Sequence, residues 1–236
     1  MVTIQELHSW FSQYKAQELR GRYIHSKNIL PLLDSLKENL EVNEVGMSVL
    51  DKPIFTICFG KGSKRVLIWS QMHGNESTTT KAVFDFLNAV TLDSSDSLIS
   101  ILNSCRICII PILNPDGAEV YTRLNANNVD LNRDAQELTQ PESLVLREVF
   151  NHFKPNFCFN LHGQRTIFSA GNIKNSAVVS FLAPAEDKDS TITPTRKVAM
   201  EIIAVMNKNL QQQIPDQVGV YDDSFNISCV GDTFQS

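Results

Sequence analysis

The chain has 236 residues, a formal net charge of -5, and 42% hydrophobic and 20% charged residues. With 10 Gly and 9 Pro it is neither collagenous nor disordered in composition, and it holds enough apolar material for a sizeable core. The mild acidic excess and the lack of a Lys/Arg-rich run argue against a nucleic-acid binder. No window approaches the roughly 18 apolar residues of a membrane span, so no membrane partner is predicted.

The start, Met1-Val2-Thr3-Ile4, shows neither the positive region nor the apolar run of a secretory signal, and a cytoplasmic location is expected. The cysteines are Cys58, Cys105, Cys108, Cys158 and Cys229, an odd set that predicts free thiols. Cys105-Arg106-Ile107-Cys108 has redox or zinc spacing. It opens an apolar run and no second pair accompanies it, so it reads as buried strand.

In chain order, residues 3–19 carry Ile4, Leu7, Trp10, Phe11 and Tyr14 at helical spacing, and a second helix is predicted over 29–40. Residues 1–42 thus form a helical N-terminal segment. Strands are predicted over 45–50 and 54–59, with Asp51-Lys52-Pro53 as the turn, and over 66–69. A helix follows over 77–90, a short one over 97–102, and a strand over 105–113. Residues 114–140 are polar, rich in Asn and Asp, and long for a loop in a compact domain, which marks them as functional. Pro141-Glu142-Ser143 opens a helix to about 153. Strands are predicted over 157–161 and 177–182 and a helix over 194–210; the last 25 residues read as loop. Strands alternating with helices imply an α/β/α sandwich around a mixed, largely buried sheet, as one domain over 1–236.

Two strands end in His-Gly. The apolar run Val66–Trp69 breaks at His73-Gly74, with Glu76 three residues on at the start of a helix; Phe157–Leu161 leads to His162-Gly163. Sites in open α/β sheets gather at the carboxyl ends of strands. Two imidazoles and a carboxylate there can form a zinc site with an open position. The plainer alternative is a pair of capping or hydrogen-bonded surface histidines. His8, His25 and His152 lie in helical or polar stretches and are expected to be exposed.

Asn114-Pro115-Asp116-Gly117 reads as a turn. Beyond it lie Arg123 and Val129-Asp130-Leu131-Asn132-Arg133-Asp134. Arginine suits bidentate capture of a carboxylate, and beside zinc it can stabilise an oxyanion. The plainer alternative is a loop braced by an Asp–Arg pair through Asp130 or Asp134.

Taken in order, His73-x-x-Glu76, Asn114-Pro115-Asp116-Gly117, Arg123, Val129–Arg133 and His162 resemble zinc metallocarboxypeptidases of the carboxypeptidase A type, over residues 65–165. The resemblance implies a mixed eight-stranded sheet between helices and one zinc ion held by His73, Glu76 and His162. It implies Asn132 and Arg133 as the clamp on the terminal carboxylate of a peptide substrate, and Arg123 as the residue that polarises the scissile carbonyl. Tyr221 is the candidate for the family's active-site tyrosine. The family also carries a general-base Glu on a late strand. No Glu follows Glu201, so the base, the last strand and the terminal helix are expected to be missing, by truncation or in a non-hydrolytic binding protein. Loss of general-base help costs about 10² to 10⁴ in rate. Rival readings are a deacylase of the aspartoacylase and succinylglutamate desuccinylase type, and an amidase of recycled cell-wall peptides. Oligomeric state and side-chain preference are not legible.

Overall fold

A computed structural model describes residues 3–164, 167–172, 174–221 and 224–234. The chain divides into two compact units, Met1–Asp134 with Leu138–Gly163, and Ala135–Glu137 with Gln164–Ser236.

In the first unit the helices α1 (Ile4–Tyr14) and α2 (Ser26–Leu36) precede the strands β1 (Glu41–Met47), β2 (Pro53–Phe59) and β3 (Lys64–Ser70). Then come α3 (Thr78–Leu92), α4 (Asp96–Ser104), β4 (Cys105–Ile110), α5 (Pro115–Val120), a 3-10 turn (Leu131–Arg133), α6 (Pro141–Phe153) and β5 (Phe157–Leu161). The sheet order is β1-β2-β4-β3-β5. β2 is antiparallel to β1 and β4, while β3 runs parallel to β4 and β5, so the sheet is mixed as expected.

Period-two alternation divides the strands between two apolar faces. Ile57, Phe59, Ile107 and Ile109 join one buried cluster with Leu33 of α2, Phe84 and Leu87 of α3 and Leu98 of α4. The alternate residues Leu67, Trp69, Cys108 and Ile110 are also buried, and α6 packs against β1 and β3. The register matters most for the site. Trp69 lies opposite Ile110 and Ser70 opposite Leu161, so β3, β4 and β5 end at one edge. The segments bearing His73, Asn114 and His162 therefore leave the sheet side by side.

Several elements differ from expectation. β1 starts at Glu41 because its polar, partly exposed edge residues and a bulge between Glu44 and Gly46 hide the alternation. α2 starts three residues early, from Ser26, and keeps Pro31 inside. β4 stops at Ile110 because Pro111 has no N–H for the ladder. Beyond it, the Leu113 and Asn114 N–H groups donate to the carbonyls of Ser70 and Gln71. The polar stretch 114–140 contains α5 and the 3-10 turn, since Asn114 caps a helix beginning at Pro115 instead of closing a simple turn. α6 and β5 have their predicted bounds.

The expectation of free thiols fails for Cys58 and Cys108. They lie opposite each other in the β2–β4 register, Cα atoms 4.2 Å apart, and are joined in a disulfide. Cys105, Cys158 and Cys229 are free. The C-x-x-C pair is strand, with Cys108 buried; three residues apart, its two side chains point to opposite faces.

The second unit holds β6 (Val179–Phe181), α7 (Pro194–Leu210), β7 (Val218–Val220) and α8 (Val230–Thr233). β6 and β7 form a two-stranded parallel sheet. β6 is shorter than predicted, α7 is as predicted, and β7 and α8 were read as loop. Among the described residues the strands form sheets of five and two, not one of eight. No described helix is long and apolar enough to cross a membrane.

Candidate metal centre

The site is built where β3 ends. Gln71 takes φ +50, a left-handed conformation uncommon outside glycine. Its buried amide fixes the turn. Nε2 donates to the carbonyls of Ile24 (2.7 Å) and Gly74 (2.8 Å), and Oε1 accepts from Thr80 Oγ1 (2.7 Å). Gly74 is required by close approach: a Cβ there would stand 2.0 Å from the carbonyl carbon of Gly117. The turn is thus clamped between α3 and α5, and it presents His73, 1% exposed, at the sheet edge.

Glu76 lies before α3 and its N–H donates to the His73 carbonyl (3.0 Å). Its side chain faces both histidines: Oε1 is 3.1 Å from His73 Nδ1, and Oε2 is 3.0 Å from His162 Nδ1. The Gly163 N–H donates to the same Oε2 (2.8 Å), and the two Nδ1 atoms are 3.2 Å apart. The three donors lie within 4.8 Å of one another and could hold a metal ion. Ligands about 2.0–2.1 Å from a tetrahedral zinc are separated by roughly 3.3 Å, so donor spacing and donor type both fit zinc.

Asp130 completes the arrangement. His73 Nε2 donates to its Oδ1 (3.0 Å), Arg123 donates to its Oδ2 through Nε (3.0 Å), and Arg123 Nη2 is in ion-pair contact with the same oxygen (2.9 Å). Arg123 Nη1 is 3.6 Å from Glu76 Oε1. The brace foreseen between an aspartate and an arginine is therefore real and runs through Asp130. Burial opposes the charge on each of these groups, but the network outweighs it. Hydrogen bonds from His162 and His73 hold the Glu76 carboxyl well below the usual carboxylate range. His73 and Arg123 do the same for Asp130. The Asp130 and Glu76 carboxylates raise the pKa of His73 above its ordinary value.

Asn132 and Arg133 follow directly. The Asn132 N–H donates to Asp130 Oδ1 (2.9 Å), and Asn160 Nδ2 of β5 donates to Asn132 Oδ1 (3.4 Å). Arg133 is exposed and its Nη1 donates to the Asn132 carbonyl (2.9 Å). Five of the six candidates in this unit, His73, Glu76, Arg123, Asn132 and His162, thus share one hydrogen-bonded group with Asp130, and Arg133 is attached at its edge. Tyr221 belongs to the second unit. It follows β7, is 49% exposed, and lines a cavity of about 470 Å³ with Met200, Ile203 and Arg196. His8 and His152 are exposed as expected; His25 is half-buried and precedes α2. Sequence reasoning missed the parts played by Gln71, Asn160 and the Gly163 N–H. Nothing in their residue types announces them, whereas Asp130 stood in the motif and was read only as a brace.

The profile of the zinc carboxypeptidase family matches residues 29–213. The chain belongs to this family. It is 30% identical over 105 residues to gamma-D-glutamyl-L-diamino acid endopeptidase 1 of Lysinibacillus sphaericus, covering 42% of this chain and 26% of that one. It is 26% identical over 177 residues to carboxypeptidase M of Mus musculus, covering 63% and 40%. The fold resembles a metallo-carboxypeptidase from Burkholderia cenocepacia (TM-score 0.69, 18% identity, 89% of this chain and 56% of that one). It also resembles carboxypeptidase A from Helicoverpa armigera (TM-score 0.61, 17% identity, 97% and 68%). Against the curated relatives named here the chain spans well under half of their length. The α/β fold with a mixed sheet flanked by helices is that of the zinc carboxypeptidases.

Proposed function

We propose that this zinc carboxypeptidase family member binds one zinc ion through His73, Glu76 and His162, and acts on a peptide or peptide-like substrate with a free C-terminal carboxylate. The observation that carries the reading is the convergence of three donors 3.0–3.2 Å apart, with Asp130 on the far nitrogen of His73. When bound, zinc polarises a carbonyl and acidifies water.

The protein's own residues divide the remaining work. Asp130 accepts the proton-bearing Nε2 of His73 and leaves Nδ1 as a lone-pair donor. Arg123, held on Asp130 and half open to solvent, can donate to the substrate carbonyl oxygen as charge grows on it. Arg133 and Asn132 offer N–H donors for the terminal carboxylate, which places the last peptide bond at the metal group. Both carboxylates described at the site, Glu76 and Asp130, are engaged, so a proton acceptor for water would be a further group. The role of Tyr221 and the union of both units in one catalytic domain belong to this proposal.

One relative carries the name of an endopeptidase, and endopeptidase action would not depend on a free terminus. The deciding experiment measures zinc stoichiometry and hydrolysis of matched peptides with free and amidated C-termini. It uses this chain and the longest protein its gene encodes. One zinc per chain and cleavage of the free acids alone are expected. Equal cleavage of amidated peptides would replace the carboxypeptidase reading with an endopeptidase one. Failure to bind zinc would remove the metalloenzyme reading.

A further inference from the structure

The loop that carries Arg123 and Asp130 is anchored on a buried polar cluster outside the metal group. Its members are Asn125, Gln140 and Glu142, all buried, with Glu142 at the start of α6 wholly so. Asn125 uses its side chain in two directions. Oδ1 accepts the N–H groups of Asn127 (3.1 Å) and Val129 (3.0 Å), and its own N–H donates to the Val129 carbonyl (3.0 Å). Residues 125–129 are thereby closed into a turn. In the other direction Nδ2 donates to Gln140 Oε1 (2.8 Å) and Glu142 Oε2 (3.2 Å). Asn127 Nδ2 donates to the same Gln140 oxygen (2.9 Å). Glu142 Oε1 accepts the Val49 N–H (3.3 Å), tying in the β1–β2 connection.

Closing a short turn needs no buried carboxylate, and an unpaired one is costly. The turn, however, ends at Val129, next to Asp130, and begins two residues after Arg123. Any shift of Asn125 moves both groups that face the metal ligands. We propose that Asn125 and Glu142 are positioning residues for the metal centre: their hydrogen bond fixes the 125–129 turn, and with it the place of the Asp130 carboxylate on His73. This rests on the reading of His73, Glu76 and His162 as metal ligands.

The test compares the chain with Asn125→Asp, Glu142→Gln and the double variant. Zinc affinity is read by chelator competition, the ligand field by the electronic spectrum of the cobalt(II) form, and folding by thermal melting. Asn125→Asp sets two carboxylates face to face; Glu142→Gln sets an amide donor against a donor. Each is expected to weaken zinc binding about tenfold, the low end for groups that orient a metal ligand, and to alter the cobalt spectrum. The double variant restores a donor–acceptor pair between residues 125 and 142 but not the bond to Gln140 Oε1, and is expected to recover part of the affinity and of the spectrum. If Asn125→Asp does not melt cooperatively, Glu142→Gln, which keeps an acceptor for Val49, carries the comparison with the double variant.

Folded single variants with unchanged affinity and spectrum would overturn the proposal. So would single losses that simply add in the double variant. His73→Ala separates this from the underlying reading. If the unaltered chain binds no zinc, or binds it equally well without His73, the metal site itself is wrong.

Discussion

Oδ1 of Asp130 lies 3.0 Å from Nε2 of His73, on the opposite edge of the ring from Nδ1, which faces Glu76 and His162. The contact selects the imidazole tautomer and fixes the ring plane, and the same carboxylate holds Arg123. One side chain therefore sets both the electron-pair donor and the cation beside it. Asp130→Ala is expected to weaken zinc binding about 10- to 100-fold. Asp130→Asn keeps an acceptor but loses the charge, and is expected to fall between. Chelator competition measures both; unchanged affinity in Asp130→Ala would show that the contact is only a brace for Arg123.

The raised pKa of His73 predicts a proton cost for metal binding. Without metal the ring holds its proton above its ordinary 6.5, because Asp130 and Glu76 outweigh burial. A zinc ligand must be neutral, so binding expels that proton. Zinc affinity should fall as pH drops through the raised value, with net proton release on binding where the metal-free ring is still protonated. Calorimetry in buffers of different ionisation enthalpy counts the protons. Release that is unchanged in Asp130→Asn, which removes the charge that holds the His73 proton, would assign the proton elsewhere.

The sheet was legible where strands were apolar on both faces. Val66–Trp69 of β3 reads as a continuous apolar run and β5 as a mostly apolar one, Phe157-Cys158-Phe159-Asn160-Leu161, and their ends marked His73 and His162. The edge strand β1 was displaced because only one face is covered and Glu41, Asn43 and Glu44 interrupt the pattern. α5 was missed because six residues give no period, although Asn114 before Pro115 is a cap followed by a favoured first residue. At the site, residue type and order pointed to His73, Glu76 and His162. Burial did not appear in the sequence, and so Gln71 passed unnoticed and Glu142 showed only as the opening of a helix. Their roles come from long-range partners: Ile24 for Gln71 and Val49 for Glu142. The Cys58–Cys108 bond is similar, since it follows from the register of strands 50 residues apart.

Glu142 should write itself into the pH dependence of stability. Burial pushes its carboxyl above the ordinary 4.5, with the nearby Asp116 charge adding to the effect. Below 4.5 the folded and unfolded chains both hold the proton. Above it the folded chain keeps the proton longer, so stability falls as pH rises through the folded value. Glu76 and Asp130, held low, have the opposite sign and act only at more acidic pH. The difference in unfolding free energy between the chain and Glu142→Gln should therefore shrink as pH rises from about 4.5. Denaturant melts across that range measure it. Parallel curves for the two proteins would mean that Glu142 titrates as an ordinary carboxyl.

Gly74 offers the sharpest steric test of the turn that presents His73. The space a Cβ would need is filled by the Gly117 backbone, at 2.0 Å from its carbonyl carbon and 2.2 Å from the Ala118 nitrogen. Backbone cannot turn aside as a flexible side chain could, so β3 and α5 would have to separate. Gly74→Ala is expected to cost about 1–3 kcal/mol or more, as overpacking of an interior does. Separation would also draw Asn114 from the Met72 carbonyl, which it now reaches at 3.2 Å, and so loosen the turn on both sides of His73. Zinc affinity should drop along with the melting temperature. An alanine variant that melts and binds zinc like the unaltered chain would show that β3 and α5 can part without moving His73.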